Sequence, residues 1–226
     1  MMTRLLMLGI VLSLFMLTGC GHYPAYISSR FDIALTSANE TQVVILKLPL
    51  EDYPALGKFQ GLYELRIEDR ATDETLRVLA EIGLPRLGSL SLPHCSAVTD
   101  RGLEYLLRMP SIRDVGLTGR EITDRGVVVI ARMPNLTGCG IDECTSVTAY
   151  GLVRLAQVET LEELAFPAAM ITQTDLLRII DAGRHLKWIV IDEPAPGQFD
   201  AVAVRRAVAG RNIYVLVCRN HQCDAI

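Results

Sequence analysis

The chain is poor in histidine, carries no excess of positive charge and has no apolar run long enough to cross a bilayer, and each shortage excludes a class of function. The four histidines, His22, His94, His185 and His221, are scattered, and no Ser, Asp or Glu stands beside them in the spacing of a triad. The chain is therefore not read as an enzyme, and no cofactor is expected. Lys and Arg number 22 against 26 Asp and Glu, for a net charge of −4. That mildly acidic balance lacks the basic footprint that draws a nucleic-acid backbone, so nucleic acid is not an expected partner. The apolar run from Leu5 to Leu17 spans 13 residues, whereas a membrane-spanning helix needs roughly 20. There is one tryptophan, Trp188.

What the chain does have is repetition. An L-x-x-L-x-L pattern recurs as Leu62-Leu65-Ile67, Leu87-Leu90-Leu92, Ile112-Val115-Leu117, Leu136-Cys139-Ile141, Leu161-Leu164-Phe166, Leu186-Ile189-Ile191 and Ile213-Leu216-Cys218, in steps of 25, 25, 24, 25, 25 and 27 residues. A repeat in the twenties with this triplet is the signature of a leucine-rich solenoid, in which each unit buries its apolar face only against its neighbours. Val43, Leu46 and Leu48 reproduce the triplet 19 residues upstream of Leu62 and are read as an atypical capping strand. Phe199 to Ala209 reads as a last helix stopped at Gly210, followed by a closing strand from Ile213 to Cys218.

Within a unit, two apolar residues alternate as a short strand, a turn follows, and a Thr-Asp pair opens a helix: Thr99-Asp100, Thr123-Asp124 and, with alanine in second place, Thr148-Ala149. Threonine is a good N-cap, and aspartate favours the positive end of the helix. Leu103, Leu106 and Leu107 then fall at helical spacing, and Pro110 stops the helix. Gly102, Gly126 and Gly151 hold one equivalent position. Glycine costs roughly 1 kcal/mol inside a helix, so three in register predict a close approach between neighbouring units. Thr72-Asp73 and Thr172-Gln173 keep the cap, but Thr75 and Asp175 replace the glycine.

The string L-x-x-L-x-L-x-x-C-x-x-V-T-D-x-G-L from Leu87 to Leu103 resembles the cysteine-containing leucine-rich repeats of F-box proteins' substrate-recognition arms and of many bacterial repeat proteins. The resemblance covers roughly Val43 to Cys218. It implies an α/β fold: a curved right-handed horseshoe segment of about seven repeats, parallel strands on its concave side and helices on its convex side. Protein recognition is the family's usual role. Only Cys95 and Cys144 hold the cysteine position, Arg120 and Ala169 sit near it elsewhere, and no F-box stands ahead of the repeats, so a ubiquitin-ligase role is not carried over.

Arg4, the apolar run and Leu17-Thr18-Gly19-Cys20 read as an export signal. LTGC resembles a bacterial lipobox, which implies cleavage before Cys20 and lipid on its thiol and amine, palmitate among the acyl chains. The expected layout is a signal peptide over 1–19, a lipid-anchored tether over 20–41 and a repeat domain with terminal caps over 42–226. The expected location is the cell envelope, at the outer membrane facing the periplasm if the source is a diderm bacterium, because Gly21 rather than aspartate follows Cys20.

Export permits disulfides. Cys95 and Cys144 lie two repeats apart, roughly 10 Å at sheet spacing, beyond the ~7 Å reach of a disulfide, and are read with Cys139 as buried structural thiols. For Cys218 and Cys223 three readings stand open: a disulfide pinning the tail, free thiols, or a metal site with His221. A closed zinc site needs a fourth ligand, and no metal is expected.

Outward strand positions define a candidate concave face. Glu64, Glu68, Asp114, Asp142 and Glu163 give it an acidic edge that selects for a basic partner, with Arg66 among them, and small residues form its floor. At the C-terminal end, Trp188, Val190, Val215 and Val217 are expected to face outward as an apolar patch, covered either by a partner or by the tail from Asn220 to Ile226. The functional expectation is a membrane-anchored scaffold that binds a protein or peptide on this face. The alternative is a structural envelope lipoprotein that contacts cell-wall polymer or its own copies.

Overall fold

Six consecutive triplets make strands for one reason: alternation turns two apolar side chains to one side and small or polar ones to the other. A computed structural model describes residues 24–219 and 222–225. Cys20 and His221 lie outside the described residues, and so does the signal peptide. The strands are β1 (Ala25–Ile27), β2 (Gln42–Ile45), β3 (Glu64–Ile67), β4 (Ser89–Leu92), β5 (Asp114–Thr118), β6 (Gly138–Asp142), β7 (Glu163–Pro167), β8 (Trp188–Asp192), β9 (Tyr214–Arg219) and β10 (Gln222–Ala225). They form one sheet in chain order. Every pairing from β1 to β9 is parallel, and β10 returns antiparallel to β9.

Between strands run α1 (Arg30–Leu35), α2 (Asp73–Ile82), α3 (Asp124–Ile130), α4 (Ala149–Ala156), α5 (Gln173–Ala182) and α6 (Ala201–Val208), with 3₁₀ segments at Leu50–Lys58, Gly102–Arg108 and Ala168–Met170. The chain is thus an α/β protein of stacked strand–helix units. The Gly102–Arg108 segment buries Leu103 and Leu106, whose spacing of three suits the tighter 3₁₀ turn.

The core lies between sheet and helices. Its central row crosses the sheet in register as Val43, Leu65, Leu90, Val115, Cys139, Leu164, Ile189 and Val215, none more than 2% exposed. Cys139 therefore occupies a leucine site.

Three expectations are corrected here. Val215 and Val217 point into the core, and Leu216 and Cys218 do not, because β9 pairs Val215 with Ile189 and Val217 with Ile191. The last unit's triplet is one residue out of phase with its sequence reading. Upstream, β2 turns Val43 and Ile45 inward, and Leu46 is exposed. The sheet also begins earlier than expected, since Ala25–Ile27 pairs with β2 inside the stretch assigned to the tether.

The Thr-Asp pairs tie successive units together. Asp73 accepts from the Thr99 N–H at 2.7 Å and the Thr99 hydroxyl at 2.8 Å. Asp100 does the same for Thr123 at 2.8 and 2.7 Å, and Asp124 for Thr148 at 2.8 and 2.7 Å. These carboxylates explain the glycines: a Cβ on Gly102, Gly126 or Gly151 would sit 2.0, 2.4 or 2.4 Å from Oδ1 of Asp73, Asp100 or Asp124. Where the preceding unit lacks the aspartate, the threonine is capped from within its own helix. Thr72 pairs with Thr75, and Thr172 donates to Asp175.

Candidate functional site

On the sheet face away from the helices, strand register sorts the side chains into rows. One row crosses it as Glu64, Ser89, Asp114, Gly138, Glu163, Trp188 and Tyr214. Beside it run Arg66, Ser91, Gly116, Gly140, Ala165, Val190 and Leu216. Small residues therefore floor the middle of the face.

Asp114 and Glu163 flank Gly138, one strand away on either side. The Asp114 carboxylate leans over Gly138, since a Cβ there would lie 2.5 Å from its Oδ1. That oxygen also accepts from the Thr137 hydroxyl at 3.1 Å. Burial raises the pKa of Asp114 above the ordinary carboxylate range, against the opposing pull of Thr137 and Arg113. Glu163 is pushed up to about 7, first by burial and then by the negative charge of Asp114. Its Oε1 is buried with no hydrogen-bond partner among the described residues. Burial also raises Glu64, partly offset by Arg66.

The other acidic candidates are held differently. Glu68 is engaged by Arg66 Nε, while Arg66 Nη1 donates to Ser91 Oγ at 3.4 Å. His94 Nε2 lies 3.8 Å from the second Glu68 oxygen. Arg66 is thus buried and neutralised. Asp142 accepts from the N–H of Glu143, which follows it at positive φ in the turn. The expected acidic edge is therefore uneven, and the buried oxygen on it that lacks a partner among the described residues is Glu163 Oε1.

Next to Glu163, Trp188 stacks on Tyr214 with ring centroids 4.8 Å apart and planes 23° from parallel. Tyr214 is half exposed. Sequence reasoning missed Tyr214 and Leu216 because Tyr214 to Cys218 is one apolar run with no alternation to assign its faces. Two signals could have found them: the tryptophan on the neighbouring strand, and a cysteine that must face its pair. Val190 is fully buried with Ala165, Cys218 and Leu216 in a small cluster. The described part of the tail, Gln222–Ala225, extends the sheet edge instead of covering the face and is exposed throughout. Cys218 and Cys223 sit opposite one another across β9 and β10 and form a disulfide.

Cys95, Cys139 and Cys144 are free and buried. Desolvation pushes their thiols up to about 12, 12 and 11, so they are inert at neutral pH. Among the described residues, no helix is long and apolar enough to cross a membrane.

No family model matches the chain, and no curated protein does. Among solved structures, the chain is similar to one in the crystal structure of the Rad7 and Elc1 complex in yeast. Identity is 13%, the TM-score 0.35, and the match covers 84% of this chain and 72% of that one. At that distance the likeness carries no argument about function.

Proposed function

We propose that the chain is a leucine-rich repeat solenoid of about seven units, anchored through lipid on Cys20 in a cell-envelope membrane. Its concave face docks a protein or peptide through a cationic, extended segment. The observation that carries this reading is the pairing of Asp114 and Glu163 around Gly138 beside the Trp188–Tyr214 stack.

Each part of that arrangement suits an arginine or lysine side chain. Two partly desolvated carboxylates lie on either side of Gly138, and the buried, unpartnered Glu163 Oε1 gains a charge-assisted hydrogen bond when the Glu163 side chain turns to a bound cation. The aromatic stack supplies a π face beside them, where a guanidinium gains roughly 0.5–2 kcal/mol. The glycine and serine floor lets a peptide backbone approach the sheet closely. A bound cation also returns Glu163 to its ionised form, so affinity rises with pH through about 7.

The test is calorimetric titration of the protein with extended peptides carrying arginine or lysine at one position and with their alanine counterparts. Binding of the cationic set, weakened at least tenfold by Trp188→Ser and by Glu163→Gln with folding intact, is the expected result. Equal binding of both sets removes the cationic reading. Retention by isolated cell-wall polymer free of protein would favour the structural alternative. The anchor is checked by metabolic labelling with a fatty-acid analogue, which Cys20→Ala should abolish.

A further inference from the structure

Among the described residues, the two most exposed large apolar side chains, Leu35 and Phe31, both belong to the first unit. Phe31 is 69% exposed and Leu35 71%, with Tyr26 at 60% and Leu46 at 44% near them, whereas Tyr150 and Val202, also exposed, stand alone on later helices. Phe31 and Leu35 are four residues apart and so share one face of α1. Ile33, about 200° around the helix from Phe31, is the residue that α1 buries. The helix is held by polar contacts. The Ser29 hydroxyl accepts from the Asp32 N–H at 3.2 Å, and Asp32 accepts from the Ser28 N–H at 2.7 Å. At the other end, Lys58 Nζ donates to the carbonyl oxygens of Ile33 and Ala34. Leu46 lies beside the end of β1, its N–H donating to Ile27 O at 2.9 Å.

Capping therefore fixes a helix whose two largest apolar side chains face away from the core. Scattered exposed apolar residues need no explanation, but a fixed pair at one end of a stack calls for a cover. Cys20 precedes Ala25 by five residues, and five residues span at most about 18 Å. An acyl chain on Cys20 would hold the first unit within that distance of a bilayer at all times, which makes docking effectively intramolecular.

We infer that Phe31, Leu35 and their neighbours in the first unit form a bilayer-docking surface that seats in the lipid interface beside the Cys20 anchor. This inference rests on the lipid-anchored reading above. Seating the end of the stack, rather than swinging it on a free tether, fixes its orientation. The sheet then leads away from the membrane, and six strand spacings of about 4.8 Å hold Glu163 on the order of 30 Å from β1. At that distance the acidic pair lies well outside the ~8 Å screening length at a lipid surface.

The experiment uses the mature, lipidated protein in vesicles of phosphatidylethanolamine and phosphatidylglycerol, with and without brominated acyl chains. Trp188→Phe removes the native fluorophore. Phe31→Trp then reports on the docking surface, and Val202→Trp, at an exposed site on α6, reports on the far end. Emission from position 31 should shift to the blue and be quenched several-fold more by brominated lipid than emission from position 202. Vesicle flotation with equal quenching at both positions leaves the anchor standing and overturns the docking surface. A blue shift without lipid quenching means that a second copy of the chain covers the surface, and also overturns it. Absence of diacylglycerol on Cys20 by mass spectrometry overturns anchor and docking together.

Discussion

Asp100 grips Thr123 of the next unit with both oxygens, at 2.8 and 2.7 Å, and in doing so fills the space that a side chain at position 126 would need. Aspartate in one unit and glycine in the next are thus one structural decision. Asp100→Ala removes two hydrogen bonds to a charged, part-buried acceptor and should cost about 2 kcal/mol. Gly126→Ala drives a methyl against that carboxylate and should cost about 1–3 kcal/mol. The double variant should lose less than the sum by about 1 kcal/mol in denaturant melts. Additivity within ~0.5 kcal/mol would refute the coupling.

Glu163 should make stability fall as pH rises. Its folded pKa of about 7 lies above the ordinary value of 4.5, so between those values the folded chain holds more protons than the unfolded one. The stability it permits is complete at low pH and declines toward pH 7. Relative to Glu163→Gln, the wild type should lose about 2 kcal/mol between roughly pH 5 and pH 8. Parallel melting curves for the two proteins across that range would contradict the burial of the carboxylate.

Thiol reagents provide a direct check on the core. Native protein at mildly alkaline pH should leave Cys95, Cys139 and Cys144 unmodified, because desolvation holds each thiol far above that pH. Among the described residues, denaturant alone should release three reactive thiols, and reduction should add Cys218 and Cys223. Prompt labelling of Cys139 in the native state would mean that the central row is not packed as described.

Cys223→Ser should loosen the tail and leave the stack intact. The bridge closes a short loop, worth about 2 kcal/mol on chain-entropy grounds, and β10 has no buried residue to hold it otherwise. Hydrogen exchange should accelerate across Gln222–Ala225 with little change in β8. Global unfolding at a clearly lower temperature would show that the tail supports the core.

The strands from β3 to β8 were legible because alternation and spacing agree there: each triplet pairs with its neighbour one repeat on, and the inward residues are the apolar ones. Recurring glycines foretold a close approach between units, although not that a carboxylate fills it. Position in the last unit was illegible, since Tyr214, Val215, Leu216, Val217 and Cys218 offer an apolar side chain to either face, and only pairing with β8 decides between them. The β1 strand was hidden by its length of three residues. Of the acidic edge, the sequence shows charges but not solvation. That Glu163 Oε1 lacks a partner among the described residues while Glu68 has Arg66 depends on which rotamers reach which neighbours.

Ala149 stands where Asp73, Asp100 and Asp124 stand in earlier units, so the unit carrying α4 offers no carboxylate to Thr172, which turns to Asp175 instead. Tension applied along the stack would pass through the aspartate links until it reached this seam, where the β6–β7 ladder and the packing of α4 on α5 carry the load without such a link. A small angular give there would work like a book opened slightly at its spine, with the sheet as the binding and the helical edge as the pages. Gly138 and Glu163 are register partners across that joint, so the acidic pair spans the one junction between α2 and α5 that lacks an aspartate link.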